Sequence, residues 1–152
     1  MILKIILLLI FITIPVNSSF SACYINEDDC NYYLCREEIQ TCGKLGYIVG
    51  YGYKYCLKFN NKLEHFSQQG QEWLIRTRIC LQEELEAISY ETSCSELKKM
   101  SMNTHVTCYI NSGFCNLPSK DIIKILKIIN FKLFNFKNIA EGIKILNNCK
   151  KL

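Results

Sequence analysis

The chain has 152 residues, ten of them cysteine, and a formal net charge of +4 that falls to +3 once Lys4 leaves with a leader. So small an excess, spread along the sequence, argues against a dedicated nucleic-acid surface. The roughly 130 residues after the leader suit one domain and not two.

In chain order, Lys4 precedes an apolar run over 5–14, and Pro15, Asn17, Ser18, Ser19, Phe20 and Ser21 follow. That is the layout of a secretory signal peptide, so 1–21 is expected to be removed by a cut before Ala22, leaving 22–152 as the mature domain. The apolar run is about half of what a bilayer-spanning helix needs. Downstream, the most apolar stretch, over 122–136, is broken by Lys124, Lys127 and Lys132, so the product is expected to be secreted and extracellular. All ten cysteines lie beyond the leader, and an even number in an oxidising compartment predicts five bridges and no free thiol.

The mature sequence carries one proline, no repeat and no low-complexity linker, and reads as a single unit. A helix is expected over 27–40, where Glu27, Asp28 and Asp29 suit a first turn better than a calcium loop, whose glycine and closing glutamate are missing. Ile48, Tyr51, Tyr55, Phe59, Leu63 and Phe66 recur at three and four, one stripe of a helix of about five turns. Gly70 interrupts that stripe, and Trp73, Thr77, Cys80, Leu81, Leu85 and Ile88 continue with the same period, which predicts two helices joined at a glycine turn. Further short helices fit 93–101, 104–110, 119–129 and 138–147. Pro118, Ser119 and Asp121 give the third of these a start signal, and Asn138 with Glu141 gives the last an Asn capping box. The alternation over 131–136 is as compatible with a loop as with a strand. The fold class expected is all-α: a compact, disulfide-stapled bundle of short amphipathic helices.

No Gly-X-Ser-X-Gly elbow, His-Glu-X-X-His pair, phosphate loop or dinucleotide fingerprint occurs, so no enzyme and no cofactor is expected. His65 and His105 are the only histidines; with the cysteines oxidised they are too few for a zinc site, and His65 is expected as a solvated helix residue and His105 as a surface or capping residue. Tyr51, Tyr55 and Phe59 share one stripe and are expected in the core instead of lining a ligand pocket. Tyr47 and Tyr53 should point elsewhere and, with Arg76 and Arg78, form the candidate protein-binding face. Apolar residues interleaved with lysines over 120–146 resemble a membrane-surface helix, but Cys115 and Cys149 bracket them and favour core or interface.

Ten cysteines allow on the order of a thousand complete pairings, so spacing alone cannot choose among them. The series Cys30, Cys35, Cys42, Cys56, Cys80, Cys94, Cys108, Cys115 and Cys149, with intervals 5, 7, 14, 24, 14, 14, 7 and 34, resembles that of the stanniocalcin family. Phe66, Gln69, Gly70, Trp73 and Cys80, and Cys108-Tyr109 followed by Cys115, are similar to that family's local pattern, and the likeness spans 23–149. The resemblance implies pairs Cys23 with Cys35, Cys30 with Cys56, Cys42 with Cys94, Cys80 with Cys108, and Cys115 with Cys149. It further implies a hormone-like factor that binds an extracellular protein or receptor and acts in calcium or phosphate homeostasis. The sequence departs from the family in having no cysteine after Cys149, so a covalent dimer is not expected while a non-covalent one stays open. It departs again in offering only Asn17-Ser18-Ser19, within the leader, as a glycan acceptor. The alternatives are a small lipid- or membrane-active protein of saposin-like or pore-forming type and an inhibitor of an extracellular enzyme.

Overall fold

A computed structural model describes residues 23–25, 30–129, 145 and 147–149. The leader, 26–29 and 130–144 fall outside them, so the expectations for the acidic run, for 131–136 and for most of 138–147 are not addressed; Ile145 and 147–149 are helical. Helix α1 is Tyr32–Gln40; a π-helix, Ile48–Tyr53, runs directly into α2, Lys54–Asn60. After a 3-10 turn at Leu63–His65 come α3, Gln68–Glu86, and α4, Cys94–Asn111. A second 3-10 turn, Phe114–Asn116, leads into α5, Ser119–Ile129. There is no strand among the described residues, and the chain is an all-α, disulfide-stapled assembly of short helices.

The predicted five-turn helix over 48–66 is broken into three pieces. Gly50 and Gly52 weaken the α-helical preference of its first half, and the backbone there takes the wider π winding. Gly52 is buried beneath the Tyr33 ring, whose Cε1 lies only 2.6 Å from where a Cβ would stand. The chain reverses at Asn61–Phe66, not at Gly70, which belongs to the first turn of α3. The signal that decides this is Ser67: its Oγ accepts the Gly70 N–H at 3.2 Å as the N-cap of α3. Gly70 is needed for a different reason, since the Asp121 carboxylate lies 2.5 Å from its would-be Cβ. Asp121, in the first turn of α5, accepts from both the backbone N–H and the hydroxyl of Ser67, and Lys124 pairs with it at 3.3 Å. Burial alone would raise its pKa; the hydrogen bonds from Ser67 and the Lys124 charge outweigh burial and hold the carboxyl below its ordinary value. One carboxylate thereby joins the starts of two helices far apart in sequence.

The helices expected over 93–101 and 104–110 are one continuous α4, because neither glycine nor proline intervenes. Ser93 caps it and Glu96 stands in its first turn, a Ser-X-X-Glu start. Gly113, at φ 101°, ends it in a conformation that L side chains rarely adopt. Helix α5 matches the predicted 119–129. Ile125 and Ile128 are buried against Phe66, Trp73 and Leu74, so this part of the lysine-rich stretch packs inward.

Polar side chains one turn apart on α1 dock it onto the α3–α4 connection. The Tyr32 hydroxyl donates to Glu86 Oε2 at 2.9 Å, Arg36 Nη2 to the Ile88 carbonyl at 2.7 Å, and Gln40 Nε2 to the Thr92 carbonyl. The fully buried Arg36 guanidinium also lies 3.7 Å from the centre of the Tyr90 ring, a cation–π contact that helps offset its desolvation.

Five bridges join Cys23 to Cys35, Cys30 to Cys56, Cys42 to Cys94, Cys80 to Cys108 and Cys115 to Cys149. These are the pairs that the stanniocalcin resemblance implies. They tie the N-terminal segment to α1, the start of α1 to α2, the end of α1 to α4, α3 to α4, and the second 3-10 turn to the C-terminal end. The sequence separations of 12 to 52 residues correspond to stabilisation of about 3 to 4 kcal/mol per bridge in the chain-entropy account.

Gly52→Ala tests the π-helix packing. Relief of glycine's conformational entropy favours alanine by up to ~1 kcal/mol in a helix, whereas overlap with a fixed aromatic ring costs about 1 to 3 kcal/mol. A lowered urea midpoint is the expected outcome, and a raised one would show that Tyr33 can move aside.

Candidate functional site

The described residues form two apolar clusters. One gathers Tyr33, Tyr47, Ile48, Leu85, Leu97 and Met102; the other gathers Phe66, Trp73, Leu74, Leu117, Ile125 and Ile128. Where they meet, the side chains leave a cavity of about 80 Å³. At about 30 Å³ of liquid volume per water, that is room for about three waters.

The π-helix and α2 supply one wall, through Tyr47, Tyr51, Tyr55 and Phe59. Tyr47 stacks on Tyr51 with ring centres 5.6 Å apart, and Tyr51 meets Tyr55 at 4.8 Å. Helix α3 supplies Trp73, Thr77, Arg78 and Leu81, and α4 supplies His105 and Tyr109. Trp73 is fixed by its indole N–H, which donates to the Tyr109 carbonyl at 3.0 Å. Tyr51, Tyr55 and Phe59 therefore do lie inward as expected, but they line a space instead of filling it.

His105 is the largest departure from expectation. It is 3 % exposed, not at the surface, with the edges and faces of Tyr47, Tyr51 and Tyr109 around it at 5.7 to 6.3 Å between ring centres. Met102, His105 and Tyr109 are spaced by three and four on α4, so the buried stripe was present in the sequence; histidine's ordinary polarity masked it. Its Nδ1 lies 2.8 Å from the Ser101 carbonyl oxygen. A carbonyl can only accept, so Nδ1 carries the proton and Nε2 is the acceptor of the neutral ring. Burial pushes the imidazole's pKa below its usual value, against the smaller opposing effect of backbone hydrogen bonding.

The candidate protein-binding face is not assembled. Tyr47, 8 % exposed, and Arg78, 9 % exposed, turn into the cavity, because the π winding swings Tyr47 inward and Arg78 Nη1 donates to Asn60 Oδ1 across the α2–α3 turn. Tyr53 is half-buried against the first cluster. Arg76 alone of the four is exposed, and it is occupied: Nε donates to the Ser112 carbonyl at 3.2 Å, favourable for a cation at the C-terminal end of α4. Its ion pair with Glu72 at 3.5 Å is solvent-exposed and contributes little. His65 is exposed, as expected.

Thr77 was assigned to the apolar stripe of α3, and it is 5 % exposed. Its Oγ1 finds no hydrogen-bond partner among the described residues. No group of three or more histidine, cysteine or carboxylate side chains suited to a metal ion occurs among the described residues. No described helix is long and apolar enough to cross a membrane. Comparison with protein-family models, with curated proteins and with solved structures gives no match.

The lowered His105 pKa fixes the sign of a pH dependence. Below about 6.5 the unfolded chain takes up a proton that the folded ring, walled by Tyr47, Tyr51 and Tyr109 and sharing its cavity with the Arg78 guanidinium, resists. Stability associated with this residue is therefore present above that pH and lost as pH falls toward the folded value. An NMR titration of the His105 ring in the native protein is expected to give a midpoint below 6.5, and a midpoint above it would contradict the buried placement.

Proposed function

We propose that this chain is a secreted, non-catalytic factor of stanniocalcin type that acts by binding an extracellular protein or receptor. The observation that carries the reading is the framework of five bridges, whose pairs are those implied by the family's cysteine spacing. Disulfides of this density belong to oxidising compartments, and the leader-like 1–21 segment is consistent with export. Further support comes from rigidity: interlocked helices keep their surface in one arrangement, which lowers the ordering cost of association. The calcium or phosphate role is part of the same proposal and rests on the resemblance alone. The inward packing of Ile125 and Ile128 on α5 weighs against a membrane-active role, because it withdraws those residues from any bilayer contact.

Labelled, oxidised mature protein applied to intact cells is expected to bind saturably, to be displaced by unlabelled protein, and to lose its sites when the cell surface is treated with protease. Protease-insensitive binding accompanied by leakage of lipid vesicles would replace the proposal with the membrane-active alternative.

A further inference from the structure

We propose that the cavity between the two clusters is a binding site for a small single-ring phenol, held by edge-to-face aromatic contacts and by Thr77 and His105 at its hydroxyl. This goes beyond the proposed protein-binding function and is independent of it, so either can fail alone.

Four features point to such a ligand. The first is size: about 80 Å³ is room for only a few water-sized groups, which limits what the space can enclose to at most a single ring. The second is the wall, in which Tyr47, Tyr51, Tyr55, Trp73 and Tyr109 present ring edges and faces, the geometry in which aromatic groups attract one another beyond simple area burial.

The third is the polar complement. Thr77 lines the cavity, and its hydroxyl is buried with no hydrogen-bond partner among the described residues, which carries a desolvation cost that a ligand oxygen brought against it would remove. His105 lines the same space, and with Nδ1 committed to Ser101 the nitrogen it can offer a ligand is the acceptor Nε2. A phenolic O–H donates well to a neutral imidazole nitrogen and its oxygen accepts from an alcohol, so a phenol carries both functions that these two side chains lack. A carbonyl compound could serve only Thr77, and an alkane neither.

The fourth is the π-helix, an uncommon winding found mostly as single turns and frequently at functional sites. Here it spans Ile48–Tyr53, starts directly after Tyr47 and contains Tyr51. It brings these two tyrosines around His105.

The only tryptophan in the chain, Trp73, is part of the wall and serves as the reporter. Oxidised mature protein titrated with p-cresol is expected to give a saturable change in tryptophan fluorescence with a Kd on the order of 0.1 to 1 mM, fitting a ligand of about eight heavy atoms. Thr77→Val keeps the shape and removes the hydroxyl, and is expected to weaken p-cresol about tenfold while leaving toluene unchanged. Leu81→Phe reduces the space and is expected to abolish binding of both. If that variant does not fold, the Thr77→Val and toluene arms decide. The proposal is overturned if p-cresol produces no saturable change up to about 10 mM, or binds no tighter than toluene, or binds Thr77→Val as well as wild type. Tighter binding of n-hexanol than of p-cresol would also overturn it, by assigning the space to the end of an alkyl chain.

Discussion

Covalent cross-linking between helices that are individually too short to stand alone is the constraint on which the rest of this structure depends. Helix α2 has seven residues and α1 nine, below the length at which an isolated helix persists in water. Each is tied by cysteine to an element distant in sequence: Cys30 holds the start of α1 to Cys56 of α2, and Cys42 holds the end of α1 to Cys94 at the start of α4. The Cys80–Cys108 bridge then fixes α3 against α4, the two longest helices among the described residues. Cross-links of this kind act chiefly by restricting the unfolded chain, so they stabilise the fold without requiring every interior volume to be filled.

That independence from perfect packing accounts for the unusual interior. A fully buried arginine lies under a tyrosine ring, a buried carboxylate joins two helix starts, and an aromatic cavity separates two apolar clusters. Each would be costly in a domain of this size held by hydrophobic burial alone. Several of the polar groups have specific partners, most clearly where Tyr32, Arg36 and Gln40 bind successive groups of the α3–α4 connection, whereas Thr77 Oγ1 has none among the described residues. These bonds and the Cys42–Cys94 bridge fix the same junction from two sides, and that junction sets where α4 begins.

Much of this was legible in the sequence and some was not, for identifiable reasons. Period, length and cysteine count gave the helical class, and Pro118 with Ser119 and Asp121 located α5 to the residue. The stripe from Ile48 to Phe66 was recognised as inward-facing, but not its division, since the side-chain period of a short π segment barely differs from that of an α-helix over a few residues. Gly70 was read as a turn because glycine usually signals one; here it marks close approach by Asp121, a contact 51 positions away that no local pattern reveals. The placements of Tyr47, Arg78 and His105 went wrong together. All three are amphipathic, and an average preference for the surface says little about a residue whose helix happens to face a cavity.

The central claim is that five particular sulfur pairs hold these helices in register, and mass-spectrometric mapping of peptides from unreduced, natively folded protein tests it most directly. The account predicts Cys80 linked to Cys108, Cys42 to Cys94 and Cys115 to Cys149, with the remaining four cysteines paired as Cys23–Cys35 and Cys30–Cys56. Recovery of Cys80 joined to Cys94, or of several cysteines alkylated without reduction in natively folded material, would contradict it.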